Sequence, residues 1–220
     1  MTAASATLAD VLTAYRPGIT EALYAKSTVR GAPFDRIAFE AAFAAAGRRI
    51  GTTLVGSEYE LVDARGSRWS IAGWGLDEVA RALLLVEGIA HVAPGEQVAW
   101  IGDCYRAGGL RERTALLRAL ALLPDPARFV AVGIDACRAS TQPIFEAIAA
   151  DNPYPAAHFP DASFNQMVLK AVFTEVPLAR ILGLDARRTP ELARMAADYA
   201  SERKAAGRSI PPDLTMLTTP

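Results

Sequence analysis

After residue 76 proline opens four of eight apolar runs and glycine stops three, and this punctuation limits the fold more than any other feature. The runs are about 10 to 16 residues long, which suits helices rather than strands. One spans Asp77 to His91. Pro94 opens the next, which carries Val98, Trp100, Ile101 and Cys104 and stops at Gly108-Gly109. A third runs from Leu110 to Leu123 and ends at Pro124-Asp125-Pro126. A fourth covers Ala127 to Ala139, and Pro143 opens a fifth that ends near Asp151. Asp161 or Ser163 is expected to cap a sixth that reaches Phe173. Pro177 opens a short seventh ending at Gly183. Thr189, followed by Pro190, starts a last one that stops at Gly207. Such helices bury their apolar faces only against neighbours. The expected fold is therefore all-α: stacked antiparallel helix pairs, either HEAT-like (an α-solenoid) or an irregular helical bundle. No repeat of fixed period decides between the two.

Upstream the text is less regular. Thr7 to Tyr15 reads as a short helix stopped by Pro17, and Thr20 to Thr28 adds a turn or two. Pro33-Phe34-Asp35 opens a clearer helix to about Arg49, with Phe34, Ile37, Ala38, Ala41 and Ala45 at helical spacing. Within residues 57–72 the pattern switches to alternation. Glu58 to Val62 and Arg68 to Ile71 flank Ala64-Arg65-Gly66-Ser67, a hairpin signal whose alternative is an irregular loop between two helical layers.

Composition excludes several functions. A hydrophobic fraction of 51% supports a real core. With 23 basic and 24 acidic residues there is no footprint for nucleic acid, and no basic run suits an anionic membrane. Arg81 and Glu87 interrupt the longest apolar stretch, Val79 to Val92, which is too short to cross a bilayer. An integral membrane protein is thus not expected. Met1 to Ala14 lacks a basic head before an apolar block, so no signal peptide is expected and the expected location is the cytoplasm. Cys104 and Cys137 are far apart and sit in apolar helical text, where thiols act as small hydrophobes.

Sequence motifs for catalysis are missing. There is no Gly-x-Gly-x-x-Gly, no phosphate-binding Gly-x4-Gly-Lys-Ser/Thr, no Gly-x-Ser-x-Gly and no His-Glu-x-x-His. Only two histidines exist, His91 and His158. No metal site and no cofactor are expected from these residues.

A few polar residues stand out as candidates for contact with a ligand. Asn152 and Tyr154 lie in Asn152-Pro153-Tyr154-Pro155, where two prolines should deny helix and stiffen a loop. That loop could line a pocket or be a rigid crossover. At 100° per residue Asn165 falls within the arc of Val168, Leu169 and Val172, so its amide should face the core. The backbone carbonyls of the Asn152–Pro155 loop are its expected partners, with a ligand as the alternative. Gln166, Lys170 and Thr174 form the polar stripe of the same helix, and Lys170 reads as a solvated lysine. Glu146 and His158 complete the set, each with a plain surface reading beside it. The tail after Gly207 should lie back over the body through Ile210, Leu214 and Leu217.

Three blocks carry a resemblance. Glu112 to Phe129 reads ERTALLRALALLPDPARF. Gln142 to Leu214 reads QPIFEAIAADNPYPAAHFPDASFNQMVLKAVFTEVPLARILGLDARRTPELARMAADYASERKAAGRSIPPDL, and a weaker block, WGLDEVARALLLV, starts at Trp74. The chain resembles the EboA family of bacterial proteins. One departure is Thr215, which stands after the Pro-Pro-Asp-Leu where the family tends to carry a bulky residue such as Trp. The resemblance divides a single helical domain, 1–220, into a variable N-terminal part, 1–73, and a family-like core, 74–220. It implies company with a UbiA-like prenyltransferase, a TatD-like hydrolase and a sugar-phosphate-cyclase-like enzyme, in the making or movement of a secondary metabolite. It carries over no catalytic residues.

Two functions follow. The first is a non-catalytic binding or adaptor protein that offers a helical groove to a small metabolite or a partner protein, reaching the inner membrane only through a partner. The second is an enzyme acting on a prenylated or cyclitol-like intermediate in a helical pocket. The enzyme needs a closed polar pocket, with Glu146 or His158 in hydrogen-bond reach of the Asn152–Tyr154 loop. The adaptor needs an exposed apolar patch or an open groove.

Overall fold

Local capping explains where the first helices start. In the computed structural model, which describes residues 2–30 and 33–218, Thr2 Oγ1 accepts from Ser5 N at 3.1 Å and opens α1, Ala3–Tyr15. After α2, Ile19–Ser27, Asp35 accepts from Ile37 N (2.9 Å) and Ala38 N (3.3 Å) to open α3, Arg36–Ile50. The alternating stretch forms an antiparallel hairpin, β1 Glu60–Val62 and β2 Arg68–Ser70, in the register Leu61 opposite Trp69. Leu61 and Trp69 point inward and are buried, while Glu60, Arg68 and Ser70 are exposed.

The helix α4, Leu76–Gly88, lies at the centre, packed against α1 and α3 on one side and α6, Leu110–Ala119, on the other. It is buried on nearly its whole circumference, so its charged residues are buried too. Then the chain alternates. The helix α5, Gln97–Ala107, packs on α6, and α7, Val130–Arg138, packs on α8, Gln142–Ala149. The helices α4, α6 and α8 touch in that order, and α8 then meets α10, Asp161–Phe173. This is the expected all-α stack of helix pairs with a small hairpin. One apolar core continues from Ala4 to Leu217.

Several local expectations differ from the structure. Neither Asp161 nor Ser163 caps α10: Asp161 is its first residue and the extended Pro160 precedes it. The Asn152–Pro155 segment is not denied helix. Tyr154–His158 forms the short helix α9, with Pro153 before it and Pro155 in its first turn, where a missing N–H costs no hydrogen bond. Only a 3-10 turn, Leu178–Arg180, follows Pro177. Thr189 Oγ1 accepts from Leu192 N at 3.1 Å and opens α11, Pro190–Ala205, as expected. In the tail, Leu214 and Leu217 are buried, whereas Ile210 is 44% exposed and does not anchor it. A 3-10 turn, Pro212–Leu214, and α12, Thr215–Thr218, end the described chain.

Candidate functional site

The five candidates separate into groups with different roles. Asn152 is buried and fully used. Its Nδ2 donates to Leu117 O (3.1 Å) and Ala147 O (2.9 Å), and its Oδ1 accepts from Tyr154 N (3.0 Å). It ties α6, α8 and α9 together and faces no open space. Asp151 just before it takes a left-handed φ of 53°, and its N–H donates to Arg180 O at 2.7 Å. Tyr154 is buried with its hydroxyl donating to Pro126 O at 2.7 Å, and burial pushes its pKa up.

The His158 ring lies against Tyr154 at a 45° tilt, with ring centres 4.9 Å apart. Burial, and then the charge of Arg65 on the hairpin turn, holds its pKa below the usual histidine value. It is therefore neutral at pH 7. Glu146 makes an ion pair with Arg180 at 3.1 Å and accepts from Gln142 at 3.1 Å. Arg180 also holds Asp151 at 2.8 Å, so Glu146 belongs to a surface ion-pair chain. Neither Glu146 nor His158 hydrogen-bonds the Asn152 or Tyr154 side chain. Asn165 is buried as its helical phase required, but the Asn152–Pro155 carbonyls do not meet it. Its Oδ1 is without a partner among the described residues. Asn152, rather than Asn165, is the residue that pins the α8–α9 turn.

The buried charges of α4 are the largest feature that sequence reasoning missed. Asp77 is 0% and Arg81 2% exposed. Asp77 accepts from Arg81 at 2.5 Å and from Arg111 Nε at 2.7 Å, and a second bond from Arg111 makes the pair bidentate. Glu78 accepts from Arg118 (2.6 Å), Thr114 (3.0 Å) and Gly75 N–H (2.8 Å). Arg81 Nε donates to Phe43 O at 2.9 Å. The available signal was the i, i+4 spacing of Asp77 and Arg81 inside an otherwise apolar run. These groups are spent on one another and join α3, α4 and α6.

Lys170 also departs from its surface reading. Its ammonium donates to Cys137 O and Ala139 O, both at 2.6 Å, and lies 4.6 Å over the Phe145 ring. It thereby satisfies carbonyls at the end of α7. Cys137 lies beside it, and burial pushes its pKa up to about 12; burial pushes Cys104 up to about 11. Both are thiols at neutral pH.

Three open recesses among the described residues bear on a ligand or a partner. A groove of about 530 Å³ runs between the end of α10 and the tail, walled by Val172, Val176, Phe173 and Ile210. Phe173 is 68% exposed there. A recess of about 340 Å³ lies between α3 and α5, over Phe39 and Phe43. Its charges are paired, Arg36 with Glu40 at 2.9 Å and with Asp103 at 3.8 Å. A third, about 360 Å³, lies between α7 and α10.

The chain matches the family described as "Metabolite traffic protein EboA" over residues 25–219. It belongs to the EboA family. The match begins far upstream of Trp74, so most of the N-terminal stretch that gave no recognisable text also falls within the EboA match. No curated protein and no solved structure matches it. Among the described residues of this EboA chain, no cluster of three or more His, Cys, Asp or Glu could hold a metal ion, and no helix is long and apolar enough to cross a membrane.

Proposed function

We propose that this EboA-family protein is a binding or adaptor component of a bacterial secondary-metabolite pathway, acting in the cytoplasm and reaching the inner membrane only through partners. The observation that carries this reading is how its polar groups are spent. Asn152, Tyr154, Asp77, Glu78 and Arg81 are consumed in bonds that hold helices together, while the recess over Phe39 and Phe43 and the tail groove are walled mostly by apolar side chains. A stack of helix pairs gives such grooves without a reacting centre. The partner surface is best placed at the tail groove, where Phe173 and Ile210 leave apolar area uncovered. The partners proposed are the UbiA-like prenyltransferase, the TatD-like hydrolase and the cyclase-like enzyme.

The test is co-expression of the tagged chain with each of those three proteins, followed by size-exclusion chromatography. Co-elution with at least one is expected, and Phe173→Asp should abolish it. If none co-elutes, and the isolated chain carries out turnover on a prenylated or cyclitol-like substrate, the adaptor reading fails.

A further inference from the structure

The recess between α7 and α10 differs from the other two in what lines it. Ile134, Phe159 and Met167 supply apolar wall, and Arg138, Ser163, Gln166 and Lys170 supply polar groups. None of its lining residues is a carboxylate. Arg138, Ser163 and Gln166 make no side-chain hydrogen bond or ion pair with any described residue. Most of the other described arginines are held by a carboxylate or a carbonyl, as Arg81, Arg111, Arg118 and Arg180 are.

Donors outnumber acceptors here. The Arg138 guanidinium has five unused N–H groups in a fixed fork. Two of the three Lys170 ammonium protons serve Cys137 O and Ala139 O, and the third has no hydrogen-bond acceptor among the described residues, the ammonium lying over the Phe145 ring. That same pairing offsets the partial negative charge at the carboxyl end of α7, which would otherwise repel an anion. The Ser163 hydroxyl and the Gln166 amide add neutral donors. The volume, about 360 Å³, is within the usual range for small-ligand pockets.

We propose that this recess binds a small organic anion, a carboxylate or phosphate monoester on an apolar body. The anionic group sits on the Arg138 fork and the free Lys170 proton, with Ser163 and Gln166 completing its shell. The apolar body lies on Phe159, Met167 and Ile134. The proposal rests on the binding reading above and names the chemistry of the metabolite that reading requires.

Phenyl phosphate is the probe, titrated calorimetrically into the full chain. Inorganic phosphate and 2-phenylethanol separate the charge from the apolar body. Phenyl phosphate should bind more tightly than either, and its affinity should fall as salt rises. Arg138→Gln, an exposed position whose loss threatens no fold, should weaken it about tenfold or more. Among the described methionines only Met167 lines the recess, so its methyl NMR signal should move while that of Met195 stays. Equal binding of 2-phenylethanol, an unchanged affinity in Arg138→Gln, or no binding of phenyl phosphate would overturn the proposal. Co-elution with partner proteins is read separately: its failure together with turnover would fault the adaptor reading and leave anion binding to its own result.

Discussion

Two asparagines thirteen positions apart show how little a residue's type says about its role. Both are buried, yet Asn152 makes three hydrogen bonds and Asn165 leaves its Oδ1 without one among the described residues. Removing a satisfied buried amide strands the carbonyls of Leu117 and Ala147 and frees the turn before α9. Asn152→Ala should therefore cost about 2–4 kcal/mol of stability. Asn165→Leu, similar in volume, removes a buried polar atom that has no partner. Its melting temperature should equal or exceed that of the parent, and thermal denaturation of the two variants side by side checks both. Loss of several degrees in Asn165→Leu would mean that its amide has a partner after all. The helical phase of Asn165 was legible in the sequence, because burial follows from periodicity. The carbonyls that pin Asn152 were not, because they come from other helices.

At the scale of the element, α4 shows what surrounds a buried helix. Its apolar residues Val79, Leu83 and Leu84 could fit many neighbours, whereas Asp77, Glu78 and Arg81 fit only α6 and the middle of α3. Burial pushes the Asp77 pKa up, but the bonds and charge of Arg111, and then those of Arg81, more than offset this and leave it below the usual carboxylate value. A folded-state pKa below the unfolded one contributes stability above the unfolded value, near pH 4, and that stability is lost as the pH falls through the folded value. Asp77→Asn should thus lose about 3–5 kcal/mol at pH 7, because Arg81 keeps its charge without its closest carboxylate. The gap between variant and parent should narrow below about pH 4. Urea unfolding at a series of pH values measures it, and a gap independent of pH would show that the Asp77 charge is not the cause. In the sequence Arg81 read as an interruption of an apolar run. It is in fact the point where three helices meet.

For the whole molecule, the tail is the piece whose docking depends on everything before it. Asp213 accepts from Leu178 N at 2.8 Å, Arg188 donates to Met216 O at 3.0 Å, and Leu214 and Leu217 enter the core. Thr215, at the position of the family's bulky residue, is exposed, so docking rests on its two leucine neighbours instead. Leu214→Ala should cost about 2–4 kcal/mol if the tail unfolds with the body. If the tail opens by itself, the cost appears instead as faster amide exchange confined to residues beyond 207, with global melting unchanged. Hydrogen exchange resolved by residue separates the two outcomes.

By itself the sequence determined most of the helices and their order, because proline, glycine and the period of apolar residues act locally along the chain; it did not show α9, and it left the hairpin open against an irregular loop. It also carried a resemblance to the EboA family in the blocks 112–129 and 142–214, and the family match spans residues 25–219. Helix packing decided the rest: that Lys170 caps α7 instead of facing water, that Asn152 and not Asn165 is the pin, and that Arg138, Ser163 and Gln166 converge on one recess. Those residues come from α7 and α10, which α8 and α9 separate along the chain, and their meeting depends on how the stack closes. No spacing rule reaches across such a gap, since it is set by the packing of the apolar faces between them.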